Sequence, residues 1–201
     1  MFTSKEEGLL FVLSGPSGVG KDATINRMKE LGFPLHFIVT YTTRSIRANE
    51  VDGRDYHFVS ASRFQEMIQS GEFLEWALVY GDYKGNSRRE VREAIAAGKD
   101  VILRIDVQGA QTIRQLAPEA VFIFLAPSSM EELFQRLRKR KSDSPEQLAT
   151  RMAIAPKEMA ELPKFDYVVV NRDEELDQAV RQIEAIITAE RCRVKKRRIL
   201  L

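Results

Sequence analysis

The chain has 201 residues, 44% of them apolar and 30% charged, with a formal net charge of +2. That length and apolar content fit one compact domain with small insertions. No apolar run approaches the roughly 18 residues of a membrane span, and the N-terminus lacks the basic-then-apolar layout of a signal peptide. The single Cys192 excludes an internal disulfide and fits a reducing compartment, read here as the cytoplasm.

The apolar run from Gly8 to Ser14 predicts a buried strand. Gly15, Pro16, Ser17, Gly18, Val19, Gly20 and Lys21 then match the phosphate-loop pattern G-x-x-x-x-G-K, and Ala23, Ile25, Met28 and Leu31 at helical spacing predict a helix ended by Gly32. Strand, glycine turn and helix in this order make successive backbone N–H groups and a helix N-terminus into an anion site, with Lys21 reaching the β- and γ-phosphates of a nucleoside triphosphate. The pattern ends irregularly. Asp22 stands where a Ser or Thr hydroxyl usually ligates Mg²⁺. A carboxylate is a competent Mg²⁺ ligand, but without metal it repels phosphate by about 3 kcal/mol per charge pair at ~5 Å. Capping the helix is the other role open to it.

Residues 38–96 hold short alternating strands, a helix near 61–70 and Gly, Asn and Asp turns, which predicts an inserted mixed α/β subdomain. Strand-type runs at Asp100–Ile105, Val121–Leu125 and Tyr167–Val170, each followed by a helical pattern, predict a parallel sheet covered by helices on both faces. Between them, Ser128 with Glu131 reads as a capping box opening a basic helix, and Ser144, Pro145 and Gln147 open a second. Two helices meeting at an Arg- and Lys-rich corner predict a mobile lid. Residues 191–201 carry six basic side chains and no acid, and without them 25 basic residues face 29 acidic ones. The tail reads first as a solvated, frayed end and second as a contact for nucleic acid or anionic lipid.

Thr40, Arg44, Arg47 and Glu50, followed by Tyr56, form the most specific cluster. Two guanidinium forks and a phenol suit one phosphate, with Glu50 bracing an arginine. Glu75, in an aromatic strand, offers the bidentate acceptor that the N1–H and N2–H₂ donors of guanine require and that adenine cannot use. Taken alone, the first cluster also reads as a surface salt-bridge group and Glu75 as an outward strand carboxylate.

With these motifs together the chain resembles the guanylate kinases from about Leu9 to Ile187, most specifically over Thr40–Phe58 and Ile105–Ala110. The resemblance implies an ATP:GMP phosphotransferase using Mg²⁺ with ATP, with dGMP as a second acceptor left open. Thr40, Arg44, Arg47, Glu50 and Tyr56 then fall at the GMP phosphate, and Glu75 and Asp106 at guanine. Arg140 and Arg151 fall in the lid, where they would act with Lys21 and Arg44 in catalysis, and Asn171 falls near adenine. The implied layout is one domain with a core over about 8–37, 97–127 and 161–190, a GMP-binding subdomain over about 38–96, a lid over about 128–160 and the tail. No membrane and no principal nucleic-acid partner is expected, and a homo-oligomer is left open.

Three further positions depart from the family pattern alongside Asp22. Lys84 replaces a tyrosine at the GMP phosphate, Asn86 replaces a hydroxyl residue near guanine, and Arg104 replaces an acid two residues before Asp106. The loop has gained an acid where the neighbouring strand has gained a base, so an Asp22–Arg104 ion pair is expected, leaving the metal mainly to phosphates and water. Two rivals remain: a ribose 1,5-bisphosphate phosphokinase of the same fold, and a non-catalytic guanylate-kinase-like binding module.

Overall fold

The computed structural model describes residues 7–139 and 144–201. In chain order it comprises β1 (Leu10–Ser14), α1 (Lys21–Glu30), β2 (His36–Phe37), β3 (Tyr41–Thr42), β4 (His57–Phe58), α2 (Ala61–Gln69), β5 (Phe73–Val79), β6 (Asp82–Ser87), α3 (Arg88–Ala96), β7 (Val101–Arg104), α4 (Val107–Leu116), β8 (Val121–Ala126), α5 (Met130–Lys139), α6 (Pro145–Met159), β9 (Tyr167–Val170) and α7 (Leu176–Arg191).

A five-stranded parallel sheet runs β2-β7-β1-β8-β9. β1 lies at its centre and is buried on both faces, which is why its sequence is a continuous apolar run rather than an alternation. Its side chains divide by the period of two. Phe11 and Leu13 pack with Ile25 and Met28 of α1 and Val180 and Ile183 of α7. Leu10 and Val12 face the opposite layer with Val91 and Ile95 of α3 and Ile113 of α4. The sheet is thus covered on both faces, as the strand pattern predicts.

The inserted segment forms a second sheet, β4-β3-β6-β5, in which β3 pairs parallel with β4 and β6 pairs antiparallel with both β3 and β5. Its core is aromatic. Phe64 of α2 stacks on Phe73 at 4.4 Å between ring centroids and on Tyr83 at 5.2 Å. α5 and α6 pack together as a helical arm above the loop that follows β1. α6 starts at the expected capping box, with Ser144 and Gln147 each bonding the other's backbone N–H and Pro145 at the first helical position. α5 starts one residue later than its sequence suggests. Ser129, not Ser128, accepts the cap bond, from Glu132 N at 3.1 Å. Both serines have a glutamate three residues on, and α5 buries Leu133 and Leu137 in the core.

The tail corrects the frayed-end reading. Arg197 wraps the nearly inaccessible Glu190 carboxylate, with Nε donating to Oε2 at 2.8 Å and Nη2 to Oε1 at 3.1 Å, and Tyr167 donates to Oε1 at 2.6 Å. Arg197 also reaches the Ala120 carbonyl at 3.3 Å, and Ile199 is buried in the core layer behind α3 and α4. A run of basic residues is therefore partly consumed by an internal acid. Burial would push the Glu190 carboxyl up, but the bonds from Arg197 and Tyr167 hold it down at about 2. The stability it contributes is present above the ordinary carboxyl range, about 4.3, and is lost as pH falls toward 2.

Deleting residues 192–201 should lower stability by about 2–4 kcal/mol, since it exposes the layer covered by Ile199 and removes the Arg197 partner of a buried carboxylate. Thermal melts should show a Tm lower by about 5–10 °C. The full-length chain, but not the truncation, should lose stability steeply between pH 4.5 and 2 beyond the common acid effect. An unchanged Tm would show that the tail contributes nothing to the fold.

Candidate active site

From the C-terminal end of β1 the chain turns through the glycine loop into α1, where open parallel sheets hold their ligands. Gly20, at φ 102°, precedes the first residue of α1, and a Cβ there would lie 2.5 Å from Asn171 Nδ2, so conformation and packing both require glycine. Asn171 holds the loop from behind, its Nδ2 donating to Val19 O at 2.8 Å. Arg136 of α5 donates to that same carbonyl at 3.1 Å and to Asn171 O at 2.8 Å. Lys21 curls over the loop and donates from Nζ to Gly15 O at 2.6 Å and Pro16 O at 3.1 Å. Burial lowers its pKa to about 8, opposed by the carboxylates of Glu158 and Asp22.

The second sheet brings its cations to the same cavity, of ≈ 320 Å³. Arg44 makes a fork-to-fork pair with Glu50, 2.9 Å from Nη1 to Oε2 and 2.8 Å from Nη2 to Oε1, and Glu50 also accepts from Arg47 N at 2.9 Å. Tyr56 is buried, and three cations surround its ring, with Arg104 at 4.4 Å, Arg44 at 5.1 Å and Lys84 at 5.9 Å from the centroid. Burial lowers the Lys84 pKa, partly offset by Asp22.

The expected Asp22–Arg104 ion pair is present. Arg104 Nη1 lies 3.0 Å from Asp22 Oδ1, Arg104 Nη2 donates to Asp55 O at 3.1 Å, and Tyr56 OH points at Asp22 Oδ1 from 3.4 Å. β7 pairs with β1 so that Arg104 stands opposite Leu13, one residue before the end of β1, which brings a residue 82 positions away to the first turn of α1. Lys84, the third departure, lines the same cavity.

Deeper in the cavity Glu75 is buried at 4% exposure. Asn86 Nδ2 donates to Glu75 Oε1 at 2.5 Å, and Asn86 Oδ1 accepts from Thr40 Oγ1 at 3.0 Å. The Asn86 amide thereby gives one of its N–H donors to Glu75. Burial pushes the Glu75 carboxyl up to about 8, with the Asn86 bond opposing and the Asp106 charge adding to the rise. Asp106 caps α4, accepting from Gln108 N at 2.7 Å and Gly109 N at 2.9 Å. A Cβ at Gly109 would lie 2.6 Å from Glu75 Oε2, so glycine there lets the start of α4 reach the carboxyl.

From the helical arm Arg151 donates to Ser17 Oγ at 2.6 Å, and Glu158 accepts from Ser17 N at 2.9 Å. Arg140 lies outside the described residues. The cavity thus joins Lys21, Asp22, Thr40, Arg44, Arg47, Tyr56, Glu75, Lys84, Asp106 and Arg151. Gly15, Pro16, Val19, Glu50, Asn86 and Asn171 support it from outside the lining. The sequence reading missed Arg136, Tyr80 and Glu158, all of which line the cavity. Of these only Tyr80 carried a local signal, a large aromatic directly before Gly81 between two strands.

The family model described as guanylate kinase matches residues 7–190. The chain belongs to the guanylate kinase family. It is 48% identical over 192 residues to guanylate kinase 2, chloroplastic/mitochondrial, of Oryza sativa subsp. japonica, covering 95% of this chain and 67% of that one. It is 44% identical over 196 residues to the guanylate kinase of Caldanaerobacter subterraneus, covering 98% and 94%. Among solved structures, the guanylate kinase of Anaplasma phagocytophilum superposes with a TM-score of 0.79 at 30% identity, covering 94% of this chain and 89% of that one.

A double-mutant cycle on Asp22→Ala and Arg104→Ala should give a coupling of about 0.5–1 kcal/mol in denaturant stability, small because the Asp22 carboxylate is half exposed. Additive losses would mean the pair carries no energy.

Proposed function

We propose that this member of the family transfers the γ-phosphate of ATP to GMP, giving ADP and GDP, by in-line displacement. The observation that carries the reading is one cavity holding both a glycine phosphate loop with its lysine and a buried carboxyl, Glu75, beside the Arg44, Arg47 and Tyr56 cluster. The layout supports a division of labour. The loop Gly15–Asp22 with Lys21 takes the donor phosphates, and Asn171 and Arg136 keep the loop in shape beside the adenine side. Arg44, Arg47, Tyr56 and Lys84 hold the acceptor phosphate, with Glu50 fixing the Arg44 fork. Glu75 accepts the N1–H and N2–H₂ of guanine, oriented by Asn86, Thr40 and the Asp106-capped start of α4.

An acceptor phosphate oxygen forms a bond to the γ-phosphorus as the bond to the β–γ bridging oxygen breaks, and ADP leaves with that electron pair. Little covalent work falls to the protein, so positioning and charge neutralisation carry the rate. In this reading residues 38–96 are the GMP-binding subdomain and α5–α6 the lid, from which Arg151, with Arg140, neutralises the transferring group as water is expelled. Mg²⁺ would arrive with ATP and supply charge neutralisation at the β- and γ-phosphates. Among the described residues no group of three or more His, Cys, Asp or Glu could hold a metal by itself. Asp22, half exposed at the loop's end, fits at most one position on a metal otherwise held by phosphate and water. The free Cys192 supports placement in a reducing cytoplasm, where purine nucleotide metabolism would use GDP.

A coupled assay with Mg²⁺ and ATP should show turnover with GMP and none with AMP, CMP or UMP, and Lys21→Ala should lower kcat by about 100-fold or more. Turnover of ribose 1,5-bisphosphate in place of GMP, or no GDP from any acceptor, would sink the proposal.

Glu75 predicts a proton linkage of definite sign. With its carboxyl held up at about 8 it is neutral at pH 7, and it must ionise to accept two guanine N–H bonds. GMP binding near pH 7 should therefore release up to about one proton, fading by about pH 9, and affinity should rise with pH over that range. Calorimetric titrations in buffers of different ionisation enthalpy read this directly, and proton uptake or no exchange would contradict it.

A further inference from the structure

The hairpin joining β5 and β6 turns through Tyr80 at φ 54° and Gly81 at φ 88°. Two successive residues in the left-handed region make the tight turn that favours Asn-Gly, and a bulky aromatic is disfavoured at its first position. Its side chain leaves the hairpin altogether. Tyr80 OH donates to Glu158 Oε1 at 3.1 Å, and the Arg151 guanidinium sits 4.2 Å from the ring centroid. The other Glu158 oxygen accepts from Ser17 N, and Arg151 donates to Ser17 Oγ. One strained residue of the second sheet is thus tied to two residues of α6 and, through both, to the phosphate loop. Glu158 is itself buried at 6% exposure, so its carboxylate is committed to these bonds.

The strands on either side of the turn carry the acceptor pocket. Glu75 pairs with Asn86 and Ala77 with Lys84, down to Val79 with Asp82 beside the turn. A shift of this ladder on binding an acceptor therefore moves Tyr80 as a rigid extension. We propose that Tyr80 is a positioning residue whose contacts with Glu158 and Arg151 form a clasp, so that acceptor occupancy sets the pose of Arg151 over the donor loop. The inference rests on the phosphotransferase reading above.

The turn supplies a clean test, because Tyr80→Asn installs the residue the backbone prefers while removing both side-chain contacts. Tm should stay level or rise, whereas kcat should fall about 10-fold with a smaller change in KM for GMP. In calorimetric titrations of the wild type, GMP should tighten binding of a non-hydrolysable ATP analogue about fivefold or more, and in Tyr80→Asn the effect should shrink to within about twofold. Tyr80→Phe keeps the ring under Arg151 and should retain an intermediate coupling. Coupling in Tyr80→Asn equal to wild type, loss of activity only in step with a fallen Tm, or wild type with two independent sites would each overturn the clasp. Wild type that binds no GMP would overturn the phosphotransferase reading itself, and the clasp with it.

Discussion

The structure depends on concentrating positive charge where a triphosphate and an acceptor phosphate would meet while keeping that charge in order before they arrive. At an effective dielectric near 20, two unit charges about 5 Å apart interact by about 3 kcal/mol, so a bare cluster of arginines would splay apart or stay disordered. Each described arginine at the cavity instead has a counter-group. Glu50 takes Arg44 in a fork-to-fork pair and also lies 4.0 Å from Arg47, Asp22 takes Arg104, Glu132 and Asp173 take Arg136, and Ser17 and the Tyr80 ring take Arg151. These partners hold each guanidinium in one orientation at the cavity. Preorganisation of this kind is where phosphoryl transfer gains most of its rate.

The parallel sheet makes the arrangement reachable. β7, β1 and β8 run parallel and end within about three residues of one another, so residues near the ends of distant strands reach one cavity. Leu13 pairs with Arg104 and Ser14 with Phe124 across the sheet, which sets the glycine loop directly beside the Arg104 strand end. The charge exchange between Asp22 and Arg104 is intelligible on that footing. An acid in the loop is tolerable because the adjacent strand end presents a base, and the buried guanidinium is tolerable because it also bonds Asp55 O and lies on Tyr56.

What the chain disclosed in advance follows the range of the forces involved. The phosphate loop, the buried strands and the Ser144 capping box were legible because each is decided within a few residues. The Asp22–Arg104 pair was legible because two unusual charges stood at positions whose relation a family resemblance supplies. The tail was not. A run of Arg and Lys reads as solvated unless one knows that Glu190 is buried and that a groove by Ala120 admits Arg197. The start of α5 was ambiguous for a different reason, since Ser128 and Ser129 offer the same local pattern, each with a glutamate three residues on. Tyr80 and Glu158 escaped because their partnership spans 78 residues and three parts of the fold.

The burial of Glu75 shows how far such a cavity can go in holding an acid that has no ion pair among the described residues. Its nearest bond is to an amide, its other oxygen faces Gly109 at the start of α4, and the neighbouring Asp106 is an acid as well. Two carboxylates in one pocket would repel, yet the roles separate. Asp106 spends one oxygen on two backbone N–H groups of α4, which keeps it fixed as a cap. Among the described residues Glu75 receives the Asn86 amide, with the Lys84 charge a lesser influence, and desolvation dominates. The pocket is therefore poised so that the donors a ligand brings, rather than a resident cation, make the charged form of Glu75 favourable. A base with two adjacent N–H groups meets that demand. On the proposed function, a base lacking them would leave the buried carboxyl without its ligand bonds, so the cost of a polar group left unsatisfied would contribute to discrimination between bases.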